Sequence, residues 1–124
     1  MKQINLSQRL SAAAAWVPLG ARLCDVGTDH AALPIRLMQE GRVRRAIATD
    51  IRQGPLDRAR GNVERYSYTG QIELRLCDGL AEVRREEVNA GTICGMGGNM
   101  IASILEAAPW TRERTDLILQ PMKS

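Results

Sequence analysis

Phenylalanine is absent from this 124-residue chain, and aromatic residues make up only 3% of it. A core must therefore be assembled from Leu, Ile, Val, Ala and Met. No segment approaches the ~20 consecutive apolar residues of a membrane span. The start, Met1-Lys2-Gln3-Ile4-Asn5, has neither the apolar stretch nor the cleavage pattern of a secretion signal. These absences predict a cytoplasmic protein that needs no membrane. Cysteine is sparse: Cys24, Cys77 and Cys94 are odd in number and far apart. That spacing matches no metal-ligand pattern and no Cys-x-x-Cys redox pair, so inert buried thiols and no metal are expected. Lysine occurs only at Lys2 and Lys123, and His30 is the single histidine.

What remains is arginine-rich, ordinary in hydrophobic content at 44%, and close to neutral at a net +3. The arginines cluster: Arg42, Arg44 and Arg45; Arg58, Arg60 and Arg65; Arg84 and Arg85; Arg112 and Arg114. Guanidinium groups pair with phosphates in a bidentate way, which points to a nucleic-acid partner. Solvated helix faces balanced by acids such as Glu64 and Glu86 explain the same pattern.

The length fits one domain, residues 1–124, led by an N-terminal helical segment over 1–18. Apolar spacing predicts a first helix over 5–16, with Leu6, Leu10, Ala13 and Trp16 on one face and Asn5 or Ser7 as its cap. Strand-like runs at 22–26, 45–49, 71–76, 91–94 and 116–120 then alternate with helical segments at 31–40, 55–68, 80–85 and 100–107. Such alternation predicts a doubly wound α/β fold, a Rossmann-like parallel sheet with helices on both faces. Right-handed crossovers then bring Asp25, Asp50, Asp78 and Gly95 to one sheet edge, where open α/β sheets bind ligands. The chain ends soon after the fifth strand, which reads as a truncation.

The first strand closes on Asp25-Val26-Gly27-Thr28-Asp29-His30. A dinucleotide site wants Gly-x-Gly-x-x-Gly so that backbone can approach a pyrophosphate. Here Asp29 occupies the second glycine position, and no third glycine follows. A carboxylate there repels phosphate and suits a cationic, phosphate-free ligand such as S-adenosylmethionine. Asp29 as a simple cap of the next helix is the plainer alternative. Asp50, followed by Ile51, closes the second strand where an acid takes ribose hydroxyls; a turn residue is the alternative. Asp78-Gly79 after the third strand suits an adenine ring and its amino group. Gly95-Met96-Gly97-Gly98 bares backbone to a planar base, or is a turn with Asn99 capping the next helix. Gln120-Pro121 closes the fifth strand and could wall the site. His30 either orients substrate and moves a proton or bonds locally.

These residues also carry a family resemblance. Leu6-Ser7-Gln8-Arg9-Leu10, Leu23 to Pro34, Gly54-Pro55-Leu56, Asp78-Gly79-Leu80, Gly95 to Ile101 and Leu117 to Pro121 together resemble the bacterial tRNA (adenine-22-N1)-methyltransferases. The resemblance implies a methyltransferase domain using S-adenosylmethionine to methylate N1 of an adenine in tRNA. It implies that Asp25, Gly27 and Asp29, with Thr28 and His30 between and beside them, line the methionine end of the cofactor. Asp50 and Ile51 would hold the ribose side, Asp78 and Gly79 the adenine, and Gly95 to Gly98 would face the target base. Asp29 is the expected acid beside that base. A cofactor-binding module without catalysis is the competing expectation. A nicotinamide-dependent oxidoreductase fits the strand pattern but conflicts with Asp29.

Overall fold

The computed structural model describes residues 2–122. Five strands, β1 (Ala21–Val26), β2 (Val43–Asp50), β3 (Ile72–Leu76), β4 (Ala90–Gly97) and β5 (Asp116–Met122), form one sheet in the order β3-β2-β1-β4-β5. Every neighbouring pair is parallel. The order reverses between β1 and β4, and the crevice at such a reversal is where ligands settle. The expected doubly wound, Rossmann-like architecture is present.

Helices α1 (Gln8–Ala14), α2 (Ala32–Gln39), α3 (Gln53–Arg65) and α4 (Gly98–Glu106) connect or flank the strands. The two-residue period of a strand sorts side chains into two cores. Leu23, Ala46 and Ala48 join Leu33, Ile35 and Leu37 of α2 and Ala59 and Val63 of α3 on one face. Cys24, Val26, Ile47 and Ile93 join Ile101 and Ile104 of α4 on the other. Aliphatic residues fill both, as the lack of phenylalanine requires.

The local signals explain most boundaries. Ser7 Oγ accepts a hydrogen bond from the Leu10 amide at 3.2 Å, so Ser7 caps α1. The Arg42 guanidinium collects the carbonyls of Ala14, Ala15 and Val17 at the other end. Gly41, at φ +71°, turns the chain out of α2. Pro55 sits in the first turn of α3, where a missing N–H costs little.

Four expectations need correction. Trp16 does not share the buried face of the first helix; it follows α1 and is 78% exposed. Residues 80–84 form a turn and an irregular segment rather than a helix, followed by one 3₁₀ turn at Arg85–Glu87. The cause is Arg75, which takes the Glu82 carbonyl at 2.6 Å and both Glu87 carboxylate oxygens at 2.9 and 2.5 Å. The Glu82 carbonyl thus serves Arg75 instead of a helical ladder, and the Glu87 carboxylate holds the guanidinium in place. Strand β4 is longer than expected at both ends because it lies between β1 and β5 and gains two ladders. Its register shifts between Cys94 and Gly97, so the glycine-rich run closes the strand instead of forming a separate loop. Gly97 is consequently the N-cap of α4, and Asn99 lies inside the helix.

No helix among the described residues is long and apolar enough to cross a membrane.

Candidate functional site

Parallel strands place the ends of β1, β2, β3 and β4 on one edge, and the predicted acids gather there. Asp25 lies in the last turn of pleat in β1, 5% exposed. Its Oδ1 accepts the Thr92 hydroxyl and its Oδ2 the Thr28 hydroxyl, each at 2.8 Å. Burial outweighs these two bonds and pushes its carboxyl up to about 6. A buried acid with both oxygens satisfied is a fixed, tunable negative centre under the cleft.

Gly27 follows at φ +70°, a conformation that favours glycine. A methyl group placed on it would stand 2.5 Å from Cε of Met96. The amides of Gly27 and Thr28 both donate to the Thr49 carbonyl at 2.9 Å, tying the end of β1 to the end of β2. Thr28 itself is buried against Asp25.

Asp29 is not a helix cap. The N-cap of α2 is Ala31, which lies at φ 59° and offers no side-chain bond. Asp29 also has positive φ, 54°, and its amide donates to Asp50 Oδ2 at 3.2 Å. Its carboxylate, half exposed, meets Arg58 Nη2 at 3.1 Å and His30 Nε2 at 3.6 Å. The His30 carbonyl accepts from Asn62 Nδ2 at 2.8 Å, so α3 braces this loop from outside.

Asp50 is buried, and its Oδ1 accepts the Arg52 amide at 3.1 Å. Two backbone amides thus hold one oxygen each and leave lone pairs free for a diol. Ile51 beside it is 61% exposed, an apolar platform at the rim. Asp78 is exposed, and Gly79, at φ +60°, packs so closely on Ile104 that a methyl there would lie 2.8 Å from Ile104 Cγ1. The Gly79 carbonyl accepts the Thr49 hydroxyl at 3.0 Å, which fixes the third corner to the second.

Two adjoining cavities open on this edge. One of about 490 Å³ is lined by Asp25, Gly27, Thr28, Asp29, His30 and Gly95, with Asp50 and Ile51 at its margin. The other, about 660 Å³, is lined by Asp78, Gly79, Gly97, Ile104 and the same Asp50 and Ile51. Gly27, Met96 and Met100 border both, and the Met96 thioether over Gly27 forms the partition. Gly98 begins α4 and lines neither cavity, and neither does Gln120, whose side chain donates instead to the Arg9 carbonyl at 2.8 Å. Arg9, Leu10, Met100 and Ser103 were not singled out from the sequence as site residues, yet line the cleft. Their signal was faint, because α1 is remote in sequence from the acid corners and α4 reads simply as an amphipathic helix.

The thiols fit an inert role. Burial raises the Cys24 and Cys77 thiols above their ordinary range and takes Cys94, beside the first cavity, to about 11. Among the described residues, no three His, Cys, Asp or Glu side chains gather to hold a metal ion.

The arginine clusters divide. Arg42 is committed to carbonyls, Arg58 to Asp29, Arg84 to Glu86 and Glu87, and Arg85 to Glu113. Arg44, Arg45 and Arg60 are exposed with no such commitment among the described residues.

Comparison with known proteins gives a consistent result. Residues 6–124 match the methyltransferase domain family. The tRNA (adenine(22)-N(1))-methyltransferase of Bacillus subtilis is 41% identical over 98% of this chain and 51% of its own length. The crystal structure of the B. subtilis M1A22 tRNA methyltransferase TrmK superposes with a TM-score of 0.91 at 40% identity, covering 95% of this chain and 51% of that one. Streptococcus pneumoniae Sp1610 in complex with S-adenosyl-L-methionine gives a TM-score of 0.90 at 43% identity, over 94% of this chain and 56% of that one. M. capricolum TrmK with S-adenosyl-homocysteine gives 0.77 at 42% identity, over 82% of this chain and 46% of that one. The chain spans about half the length of these relatives. With this strand order, this acid-lined edge and a match over almost its whole length, the chain belongs to the methyltransferase domain family.

Proposed function

We propose that this chain is the cofactor-binding part of a cytoplasmic, S-adenosylmethionine-dependent methyltransferase acting on N1 of an adenine in tRNA. The observation that carries the reading is the acidic rim. Asp25, Asp29 and Asp50 converge on one cavity at the sheet reversal, where a pyrophosphate would meet three carboxylates. A sulfonium and an ammonium suit such a rim. The similarity to the B. subtilis tRNA enzyme, and to relatives solved with S-adenosyl-L-methionine and S-adenosyl-homocysteine, supports the same substrate pair.

The residues fit that cofactor. Asp25, Gly27 and Thr28 would meet the amino-acid end, with Asp25 giving the negative potential. Asp50 has lone pairs left for two ribose hydroxyls. Ile51, Asp78 and Gly79 would take the adenine, one as an apolar face and one as an acceptor for its amino group. When bound, S-adenosylmethionine supplies a methyl group on a positively charged sulfur.

Adenine N1 has an in-plane lone pair, so this chain needs no strong base. Its task is alignment of N1 and stabilisation of the charge that the base acquires. Gly95 stands beside the first cavity, Gly97 beside the second and Met96 beside both, and together they would bound the base. Asp29 would face the developing positive charge and accept the amino proton. Its 3.1 Å bond to Arg58 limits its rotation. A base inside folded tRNA must first leave its stack, at a cost of a few kcal/mol. The exposed Arg44, Arg45 and Arg60 are candidates for phosphate contacts.

The test is methyl transfer from labelled S-adenosylmethionine to bulk tRNA, with the product mapped to N1 of adenine. Transfer to that atom supports the proposal. Binding of cofactor without transfer supports a non-catalytic module instead. Retention on immobilised NAD without S-adenosylmethionine binding would overturn both.

A further inference from the structure

We infer that Arg22 and Arg45 hold a phosphate group in a cavity at the end of the sheet opposite the cleft, carried either by an RNA backbone or by a free phosphorylated compound. The site shares no lining residue with either cleft cavity, so it goes beyond the cofactor reading and does not depend on it.

Arg22 is the second residue of β1 and Arg45 the third of β2. Ala21 faces Val43, but the register then shifts: Arg44 is skipped, and Arg22 pairs directly with Arg45. A bulge of this kind re-aims a side chain. Here it sets two arginines level on neighbouring strands, about 5 Å apart, on the face that carries Cys24 and Ile47. Like charges directly opposite each other weaken a sheet. Both side chains are exposed, and neither has a hydrogen bond or ion pair among the described residues. Two unpaired forks side by side become favourable once an anion lies between them. A carboxylate has oxygens for one fork, whereas a phosphate has enough for both.

The pair lines a cavity of about 420 Å³ with Thr69, Gln71, Glu73 and Glu87. The two acids are engaged elsewhere. Arg75 Nε donates to Glu73 Oε2 at 2.7 Å, and its Nη1 and Nη2 hold the Glu87 oxygens. The Arg84 amide adds a further bond to Glu87. Three guanidinium groups against two carboxylates leave this corner net positive. The Thr69 hydroxyl and the Gln71 side-chain amide, without partners among the described residues, add neutral donors. The connection from β3 to β4 holds no α-helix, and the corner stays open to solvent. The backbone beneath is fixed. The Arg22 amide donates to Asn89 Oδ1 at 2.8 Å, and its carbonyl accepts the Asn89 amide at 2.9 Å. The Ala46 amide donates to the Gln71 carbonyl at 3.0 Å, which sets the far wall beside Arg45.

Calorimetric titration with inorganic pyrophosphate, at an ionic strength held constant with sodium chloride, tests this. Wild type should bind it saturably, with or without S-adenosylmethionine present. Arg22→Ala and Arg45→Ala should each weaken it by about tenfold or more. Arg22→Glu should abolish it and yet raise the melting temperature in phosphate-free buffer, because opposite charges then face each other across the strands. Pyrophosphate that displaces tRNA from wild type but not from Arg22→Glu identifies an RNA backbone as the source. Saturable pyrophosphate binding that leaves tRNA affinity unchanged identifies a free phosphorylated compound. No saturable binding by wild type would overturn the inference, as would equal binding by the alanine variants. Binding that S-adenosylmethionine displaces would put the anion in the cleft and overturn it too. Absence of methyl transfer with this binding intact counts against the proposed function alone.

Discussion

Thr92 Oγ1 donates to Asp25 Oδ1 at 2.8 Å, linking two residues 67 positions apart that pair directly across β1 and β4. The bond lies at the strand reversal, where the sheet is least interrupted and the cleft begins. Together with Thr28 it satisfies a carboxyl group that burial nonetheless pushes up to about 6 from its ordinary 3.8.

That shift has a sign. The folded protein holds the Asp25 proton more tightly than the unfolded chain does. Stability from this group is therefore present below about pH 4 and is lost as pH rises to about 6, on the order of 3 kcal/mol in all. Asp25→Asn should remove this component, so its stability relative to wild type should rise between pH 4 and 6 in paired thermal melts. Cofactor affinity should show the opposite trend. A cationic ligand favours ionised Asp25, so binding should tighten from pH 5 to 7 in wild type and stay flat in Asp25→Asn.

Gly27→Ala should damage both fold and site. Its φ of +70° disfavours a side chain by roughly 1 kcal/mol. Its new methyl would also meet Met96 Cε at 2.5 Å. A lower melting temperature and at least about tenfold weaker cofactor binding are expected. Adding Met96→Ala should relieve the collision and restore part of the affinity, but not the backbone cost. Wild-type affinity in Gly27→Ala would refute the close approach drawn here.

Asp29→Ala should separate binding from chemistry. Cofactor affinity should stay within several-fold, because Asp50 keeps its Arg52 amide and Asp25 keeps both threonines. Methyl transfer to tRNA should collapse, by about 100-fold or more. Unaltered turnover, measured with saturating cofactor, would remove Asp29 from the reaction.

Arginines should sort by their partners. Arg42→Ala removes the guanidinium donor from the carbonyls of Ala15 and Val17, and one of two donors from that of Ala14, and should cost about 1–3 kcal/mol of stability. It should leave the salt dependence of tRNA binding unchanged. Arg44→Ala and Arg60→Ala should do the reverse: little change in melting, and a shallower fall of tRNA affinity with salt, by about one unit of log–log slope per contact. A melting temperature unaffected by Arg42→Ala would count against its capping role.

The doubly wound plan was readable in the sequence because apolar runs alternate with helical periodicity and nearly every strand ends in a chemically distinctive residue. Asp25, Asp50, Asp78 and Gly95 converge as expected, since parallel strands leave no other edge for them. What escaped the sequence depends on partners distant along the chain. The helix anticipated at 80–85 is lost to Arg75, which no local propensity reveals. The capping alternative for Asp29 failed because the backbone spends two further residues in turn before α2 begins. Arg42 looked like one member of a basic cluster, although its neighbours in space are the carbonyls at the end of α1. Arg9 stood in a recognisable run of residues, but its place above Gly95 follows only from the packing of α1 on the ends of β4 and β5.

The Met96 thioether has a kinetic consequence. It is an unbranched, three-torsion side chain that stands where a ligand spanning both halves of the cleft must pass. Met96 is half-buried against the second core, and a rotamer change of such a latch is still far quicker than a turnover, so it delays nothing on the scale of catalysis. It does let each half be filled alone: adenosine and free methionine can occupy their own compartments without disturbing the other, and only the joined molecule has to open the door between them.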